Sequence, residues 1–125
     1  MDVQFTDREF DIMGVLWDRG PSTVAEVQEQ LADELAYTTV LTMLRTLEEK
    51  GHVRHEEEGR AYRYIPTVDR EAAGRSALRR LMRKVFKGSP EALLTQLVSE
   101  RGLSPQQLER MRRLLEDRAR RKEEG

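Results

Sequence analysis

The chain contains no cysteine among its 125 residues. This absence excludes disulfide frameworks, thiolate metal sites and cysteine nucleophiles, and it is typical of proteins in a reducing compartment. Two further features are missing. The acidic start MDVQFTDREF is unlike a signal peptide, and no run of about 18 apolar residues is present that could span a bilayer. We therefore expect a cytoplasmic protein that makes no contact with a membrane.

The sequence also lacks the usual signatures of an enzyme. It has no glycine-rich phosphate loop, no cluster of metal ligands and no nucleophile beside an obvious base. The only two histidines, His52 and His55, are three residues apart in a predicted strand. Their side chains are therefore expected to point to opposite faces, where they cannot chelate one metal ion together. We expect neither catalysis nor a cofactor.

A net charge of −1 hides an uneven distribution of charge along the chain. Residues 1–36 hold 9 acidic and 2 basic side chains, whereas residues 70–87 hold 7 basic and 1 acidic. Within the second block, four basic residues recur at four-residue spacing on one helical face, where like charges repel each other. We expect acidic residues of the first two helices or of a partner chain to pair with this basic stripe, with direct phosphate contact as the alternative. The stripe consists of Arg75, Arg79, Arg83 and Lys87.

Capping signals predict short helices at the start of the chain. Thr6–Glu9 and Thr23–Glu26 both have the threonine-to-glutamate spacing of a capping box, and apolar residues follow each at helical intervals. The first helix is expected to end near Arg19 and the second near Glu34. A third helix is predicted over residues 37–50, with one apolar face and a glycine directly after it.

A change of period then predicts two antiparallel strands. Val53 and His55 alternate in the first strand, and Tyr62 and Tyr64 alternate in the second, on either side of a charged, glycine-containing turn. Pro66 ends the second strand. The sequence therefore predicts a β hairpin after the third helix.

Helical spacing returns from Asp69 onwards. Breaks at residues 88–90 and 104–105, each with a Ser-Pro pair that suits the start of a helix, divide this part into three helices. The charged tail after Arg118 is expected to fray. Each of these helices carries an apolar stripe. Where such a helix is exposed, its stripe is available for contact with a partner.

The predicted fold is mainly α with a small antiparallel β hairpin. Three helices followed by a hairpin are the element order of a winged helix-turn-helix, in which the third helix enters the major groove of DNA and the hairpin lies beside the backbone. We predict an N-terminal winged helix-turn-helix DNA-binding domain over residues 1–67 and a C-terminal three-helix dimerisation region over residues 68–125.

Candidate DNA-binding residues lie on the third helix and in the hairpin. Threonine hydroxyls and arginine guanidinium groups bond base edges and phosphates. The hairpin arginines can reach phosphates, although the glutamates beside them oppose this contact. The alternative is that the threonines are ordinary exposed residues, with Thr38 capping the helix. The predicted DNA-binding residues are Tyr37, Thr38, Thr39, Thr42, Arg45, Arg60 and Arg63.

The last three helices are too short to enclose a full core within one chain, because such a segment has only roughly 55 residues. Association with a second copy would bury their apolar stripes, and a palindromic DNA site needs two readers. Packing of the three helices within one chain is the alternative. The residues predicted to form the dimer core are Phe86, Leu93, Leu97, Leu108, Met111 and Leu115.

A resemblance to a known family supports this interpretation. The run LAYTTVLTMLRTLEEKGHVRHEEEGRAYRYIP, with TDREFDIMGVLWDRGPSTVAEVQEQL before it, resembles the penicillinase repressor family of the BlaI/MecI type. The resemblance is strongest over residues 6–66. It implies a homodimeric transcriptional repressor that binds double-stranded operator DNA at a palindromic site and blocks transcription. The alternative is a winged-helix protein-interaction module without sequence-specific DNA binding.

The resemblance also raises the question of the inducing partner. In β-lactam-responsive members, a membrane sensor protease cuts between an asparagine and a phenylalanine, and the matching position here is Gln96 to Leu97. Copper-responsive members carry cysteine pairs near the C-terminus, which this chain lacks. The sequence matches neither route, so a sensor protease or another inducing partner is left open.

Overall fold

The structure is a computed structural model that describes residues 4–124. Most of it is helical, and its three strands form one antiparallel sheet, which confirms the predicted fold class. No helix among the described residues is long and apolar enough to cross a membrane. In chain order the elements are α1 (Asp7–Arg19), β1 (Ser22–Thr23), α2 (Val24–Gln30), α3 (Tyr37–Glu49), β2 (Val53–Glu58), β3 (Ala61–Pro66), α4 (Arg70–Lys84), α5 (Pro90–Ser99) and α6 (Pro105–Glu124).

Both predicted capping boxes are present at the starts of α1 and α2. The hydroxyl oxygen of Thr6 accepts a hydrogen bond from the backbone N–H of Glu9, and the Glu9 carboxylate accepts one from the backbone of Thr6. Thr23 and Glu26 repeat the arrangement at α2. Because the first N–H groups of a helix lack partners within it, these bonds fix where each helix begins.

The second helix is shorter than predicted. It ends at Gln30 rather than near Glu34, because Leu31 has an extended backbone with φ −71° and ψ 138°. The side-chain amide of Gln28 donates to the backbone oxygen of Leu35 at 2.9 Å and holds the connecting segment in place. The link to α3 is therefore longer than the sequence suggested.

The sheet has the order β1-β3-β2 and is larger than the predicted hairpin by one strand. The two residues of β1 pair with β3, with Ser22 opposite Tyr64 and Thr23 opposite Arg63. A strand of two residues is too short to show alternation in a sequence, which explains why it was missed. The turn between β2 and β3 contains Gly59 at φ 62°, a left-handed conformation that favours glycine.

The molecule divides into two compact units, the first ending at Arg80 and the second beginning at Leu81. This division describes compactness. The boundary predicted after residue 67 concerns where the DNA-binding domain ends, and it stays a prediction. In the first unit, Trp17 of α1 donates its indole N–H to the backbone oxygen of Val68 at 2.9 Å. The core of this unit consists of Phe5, Ile12, Met13, Leu16, Val24, Val27, Val40, Leu44, Leu47, Val53, Tyr64 and Ala73.

The second unit contains the end of α4 with α5 and α6. Ser89 caps α5 as predicted, its hydroxyl oxygen accepting from the Ala92 N–H at 3.1 Å. The expected fraying after Arg118 is wrong, because α6 continues to Glu124. Ion pairs one turn apart, such as Arg120 with Asp117 at 2.6 Å, support this last part of the helix.

Candidate nucleic-acid interface

The third helix has one buried face and one exposed polar face. Val40, Leu44 and Leu47 are fully buried in the core of the first unit. This packing turns the opposite face of α3 towards solvent, where the ring of Tyr37 remains 48% exposed. All five residues predicted for this helix are exposed, namely Tyr37, Thr38, Thr39, Thr42 and Arg45.

The start of α3 shows that Thr38 is not a helix cap. The N-cap residue is Ala36, and no side chain accepts a hydrogen bond there. The capping role considered for Thr38 is therefore wrong, whereas the alternative that the other threonines are ordinary exposed residues stays open. The hydroxyl of Thr42 donates to the backbone oxygen of Thr38 at 2.9 Å, and Thr46 bonds to Thr42 in the same way at 3.0 Å. These bonds leave the oxygen lone pairs and the methyl group of Thr42 available to an external partner.

A polar and aromatic cluster links α3 to the hairpin. The Nδ1 atom of His55 lies 2.6 and 2.7 Å from the two carboxylate oxygens of Glu48. The imidazole also packs on Tyr62, with ring centroids 4.5 Å apart, and lies 5.7 Å from the ring of Tyr64. Burial raises the pKa of the Tyr64 hydroxyl, and the negative charge of Glu48 raises it further. Sequence reasoning missed the role of Glu48, since it is seven residues from its partner.

The two hairpin arginines that were predicted to bind DNA, Arg60 and Arg63, are in different situations. Arg60 lies in the exposed turn, and no acidic side chain within residues 4–124 forms an ion pair with it. Arg63 lies on β3 and is half-buried. Its guanidinium donates to Glu58, to the backbone oxygen of Pro21 at 2.9 Å and to a carboxylate oxygen of Glu26 at 3.0 Å. Arg60 is therefore available to an external anion, whereas Nε and one terminal nitrogen of Arg63 are already engaged within the chain.

The electrostatics agree with this difference. The hydrogen bond from Arg63 to Glu58 raises the pKa of the guanidinium, and the charges of Glu58 and Glu26 add to the effect. The pKa of Glu26 is lowered by its hydrogen bond from the Thr23 backbone and by the positive charges of Arg19 and Arg63. Each partner thus favours the charged form of the other.

An ion pair between a buried carboxylate and an exposed ammonium fastens the far end of α3 to α1. The ammonium of Lys50 lies 2.8 and 2.9 Å from the carboxylate oxygens of Glu9, whose side chain is 5% exposed. Burial raises the pKa of Glu9, but the hydrogen bonds from Lys50 and the Thr6 backbone outweigh it, and the pKa is lowered. His52 packs edge-on against Phe5 with centroids 4.9 Å apart. This cluster holds the exposed polar face of α3 in its orientation.

Comparison with known proteins places these features in a family. A model of the penicillinase repressor family matches residues 5–117. The penicillinase repressor of Bacillus licheniformis is 25% identical over 123 residues, which cover 97% of this chain and 96% of that protein. The transcriptional regulator BlaI of Mycobacterium tuberculosis is 43% identical over 68 residues, 52% of this chain and 49% of its own length.

A solved relative adds structural support. The monomeric form of Bacillus licheniformis BlaI, in complex with the blaP half-operator, superposes with a TM-score of 0.50 and 31% identity. The match covers 58% of this chain and 90% of that one. The resemblance identified in the sequence is confirmed by these matches, and the chain belongs to the penicillinase repressor family.

Proposed function

We propose that this chain is a DNA-binding transcriptional repressor that acts in the cytoplasm and catalyses no reaction. As a homodimer, it binds a palindromic operator with α3 in the major groove and the β2–β3 hairpin beside the phosphate backbone. The observation that carries this proposal is the exposed polar face of α3, which stands opposite a fully buried apolar face. Membership of a family with a relative solved on half-operator DNA supports it.

The exposed residues of α3 have different chemical roles in this proposal. Thr39 and Thr42 read base edges through hydroxyl oxygens and touch thymine methyl groups with their own methyls. Arg45 bonds guanine or a phosphate, while Tyr37 and Thr38 bond phosphates near the start of the helix, where the helix dipole attracts anions. In the hairpin, Arg60 bonds a phosphate.

The second unit supports the homodimer. No residue of α5 or α6 is buried in the single chain within the described part of these helices. Leu97, Leu108 and Leu115 are among the large apolar residues left exposed. Contiguous exposed apolar surface of this kind marks an association site. A second copy that covers these leucines completes the core, and the pair presents two recognition helices to the two halves of one palindrome.

The proposal is tested by selecting fragments of the source genome that the purified protein binds, and then measuring affinity for the enriched palindrome and for random duplex. Thr39→Ala and Thr42→Ala are expected to relax sequence preference, each base contact contributing about 1–3 kcal/mol of discrimination. Arg60→Ala is expected to weaken binding to both duplexes by the same factor, since a phosphate carries no sequence information. No enriched fragment, or equal effects of all three variants on both duplexes, would contradict the proposal.

A further inference from the structure

Arg63 lies where three parts of the first unit meet. Its guanidinium reaches Glu58 near the tip of the hairpin, the backbone oxygen of Pro21 before β1, and Glu26 in the first turn of α2. We infer that Arg63 is a positioning residue, which holds the hairpin against the start of α2 so that Arg60 meets the DNA backbone. This inference rests on the proposed function.

The backbone connection that Arg63 reinforces is short. The hairpin joins the rest of the sheet only through β1, which contributes two residues to the pairing. Thr23, the last of them, stands opposite Arg63 itself. The Arg63 side chain bonds Pro21 and Glu26, which lie on either side of β1 in the sequence. These bonds add to the two residue pairs between β1 and β3 and connect the hairpin to the start of α2. Without this side chain, the base of the hairpin is still anchored by the buried Val53 and Tyr64, but the part near Glu58 is held mainly by the pairing of β2 with β3.

The geometry also argues against a phosphate contact for Arg63. Glu58 lies on the same face of the hairpin as Arg63, because the residue opposite Arg63 is Glu56, two positions away. The Nε atom of Arg63 donates to Glu58, and one terminal nitrogen donates to both Pro21 and Glu26. Two carboxylates therefore already compensate the charge of the guanidinium, which weakens its attraction for a phosphate. Arg60 faces no such competition within the described chain.

The dependence of DNA affinity on salt separates the two roles. Each phosphate contact releases counterions, so its loss reduces the slope of log affinity against log salt by about 0.9. Arg60→Ala is expected to show this reduction on the enriched palindrome. In Arg63→Ala, Arg60 still reaches its phosphate in the complex, but the hairpin must first be ordered by binding. The variant is therefore expected to keep the wild-type slope and to bind about tenfold more weakly at every salt concentration, the scale of one hydrogen bond to a charged group.

Three further variants protect this test against misfolding and against simple charge effects. Arg63→Lys keeps the charge but loses the fork that bonds three partners, so a positioning residue is not rescued by lysine whereas a simple phosphate ligand is. Glu26→Gln retains the capping spacing and removes one negative charge, and Glu29→Gln removes the same charge from the exposed side of the same helix. The loss of a negative charge would by itself strengthen binding to the DNA phosphates. Glu26→Gln is nevertheless expected to weaken DNA binding, because Arg63 loses a partner, whereas Glu29→Gln is expected not to weaken it.

The outcomes are distinct. A reduced salt slope for Arg63→Ala, or full affinity in Arg63→Lys, would show that Arg63 binds a phosphate and overturn the inference. Unchanged affinity in a folded Arg63→Ala protein would overturn it as well. If the wild-type chain enriches no duplex at all, the proposed function fails first, and the role inferred for Arg63 falls with it.

Discussion

At the scale of single residues, Glu9 connects two helices that are far apart in sequence. It closes the capping box of α1, and its carboxylate also receives the ammonium of Lys50, 41 residues away. The carboxylate is buried, whereas Lys50 retains contact with water. Removing the cation would leave the buried carboxylate without a compensating charge, which lowers the free energy of unfolding. This pair is therefore more important to the fold than the exposed pairs of the same unit.

We expect Lys50→Met to lower the free energy of unfolding by about 1–3 kcal/mol, because it leaves the Glu9 carboxylate buried without its cation. The matched control is Arg8→Met, which removes an exposed ion pair with Asp33. That change is expected to cost about 0–1 kcal/mol. Denaturation by urea at neutral pH measures both values, and equal losses in the two variants would contradict the role assigned to Glu9.

His52 makes stability depend on pH. Burial lowers its pKa from the ordinary 6.5, and the charge of Lys50 lowers it further, while Glu9 opposes the shift. The unfolded chain therefore takes up a proton below pH 6.5 more readily than the folded chain does. The contribution of a neutral His52 to stability is complete above pH 6.5 and is lost as the pH falls through the lowered value.

We therefore expect the wild-type protein to lose more stability than His52→Gln when the pH is lowered from about 7.5 to about 5. All other titrating groups are shared by the two proteins, so their contributions cancel in the difference. Urea denaturation at several pH values gives the two stability curves. Parallel curves would show that His52 binds protons equally well in the folded and unfolded states.

At the scale of elements, local signals in the sequence were sufficient to predict most of the fold. The capping boxes at Thr6 and Thr23 involve residues three positions apart, and both helices begin where these signals lie. The hairpin also follows from alternation around a short turn. The errors lie where tertiary contacts decide: the link after Gln30 is held by the bond from Gln28 to Leu35, and β1 exists only because β3 pairs with it.

The site was predictable in part for the same reason. The exposed face of α3 follows from helical periodicity once the apolar face is known. Periodicity cannot predict which side chain of another element will form a hydrogen bond with a given residue. Glu48 meets His55 across the gap between α3 and β2, and Arg63 meets Glu26 from 37 residues away. The sequence therefore identified the exposed face of α3 that we propose meets DNA, but not the contacts that hold the hairpin beside it.

At the scale of the whole molecule, the two compact units differ in how complete they are. Within residues 4–80, the first has a core of twelve buried apolar residues, which includes Ala73 of α4. The second has capped helices, but α5 and α6 bury no residue. In the basic stripe, Arg75 pairs with Glu71 of its own helix, while the acidic α1 residue Asp18 pairs with Arg70, outside the stripe. Because α5 and α6 bury no residue, the second unit of one chain presents apolar surface, which we propose a partner covers.

We expect Leu97→Glu to raise the dissociation constant of the proposed dimer by roughly a hundredfold or more, because an unpaired carboxylate in an apolar interface costs several kcal/mol. The control is Gln96→Glu, which adds the same charge at the exposed neighbouring position and is expected to leave the dimer intact. Sedimentation equilibrium measures association, and binding to whole and half palindromes measures its consequence. The Leu97 variant should bind the whole site no better than a half-site, because two unlinked chains no longer share one binding event. A wild-type chain that stays monomeric at all concentrations would instead favour packing of the three helices within one chain.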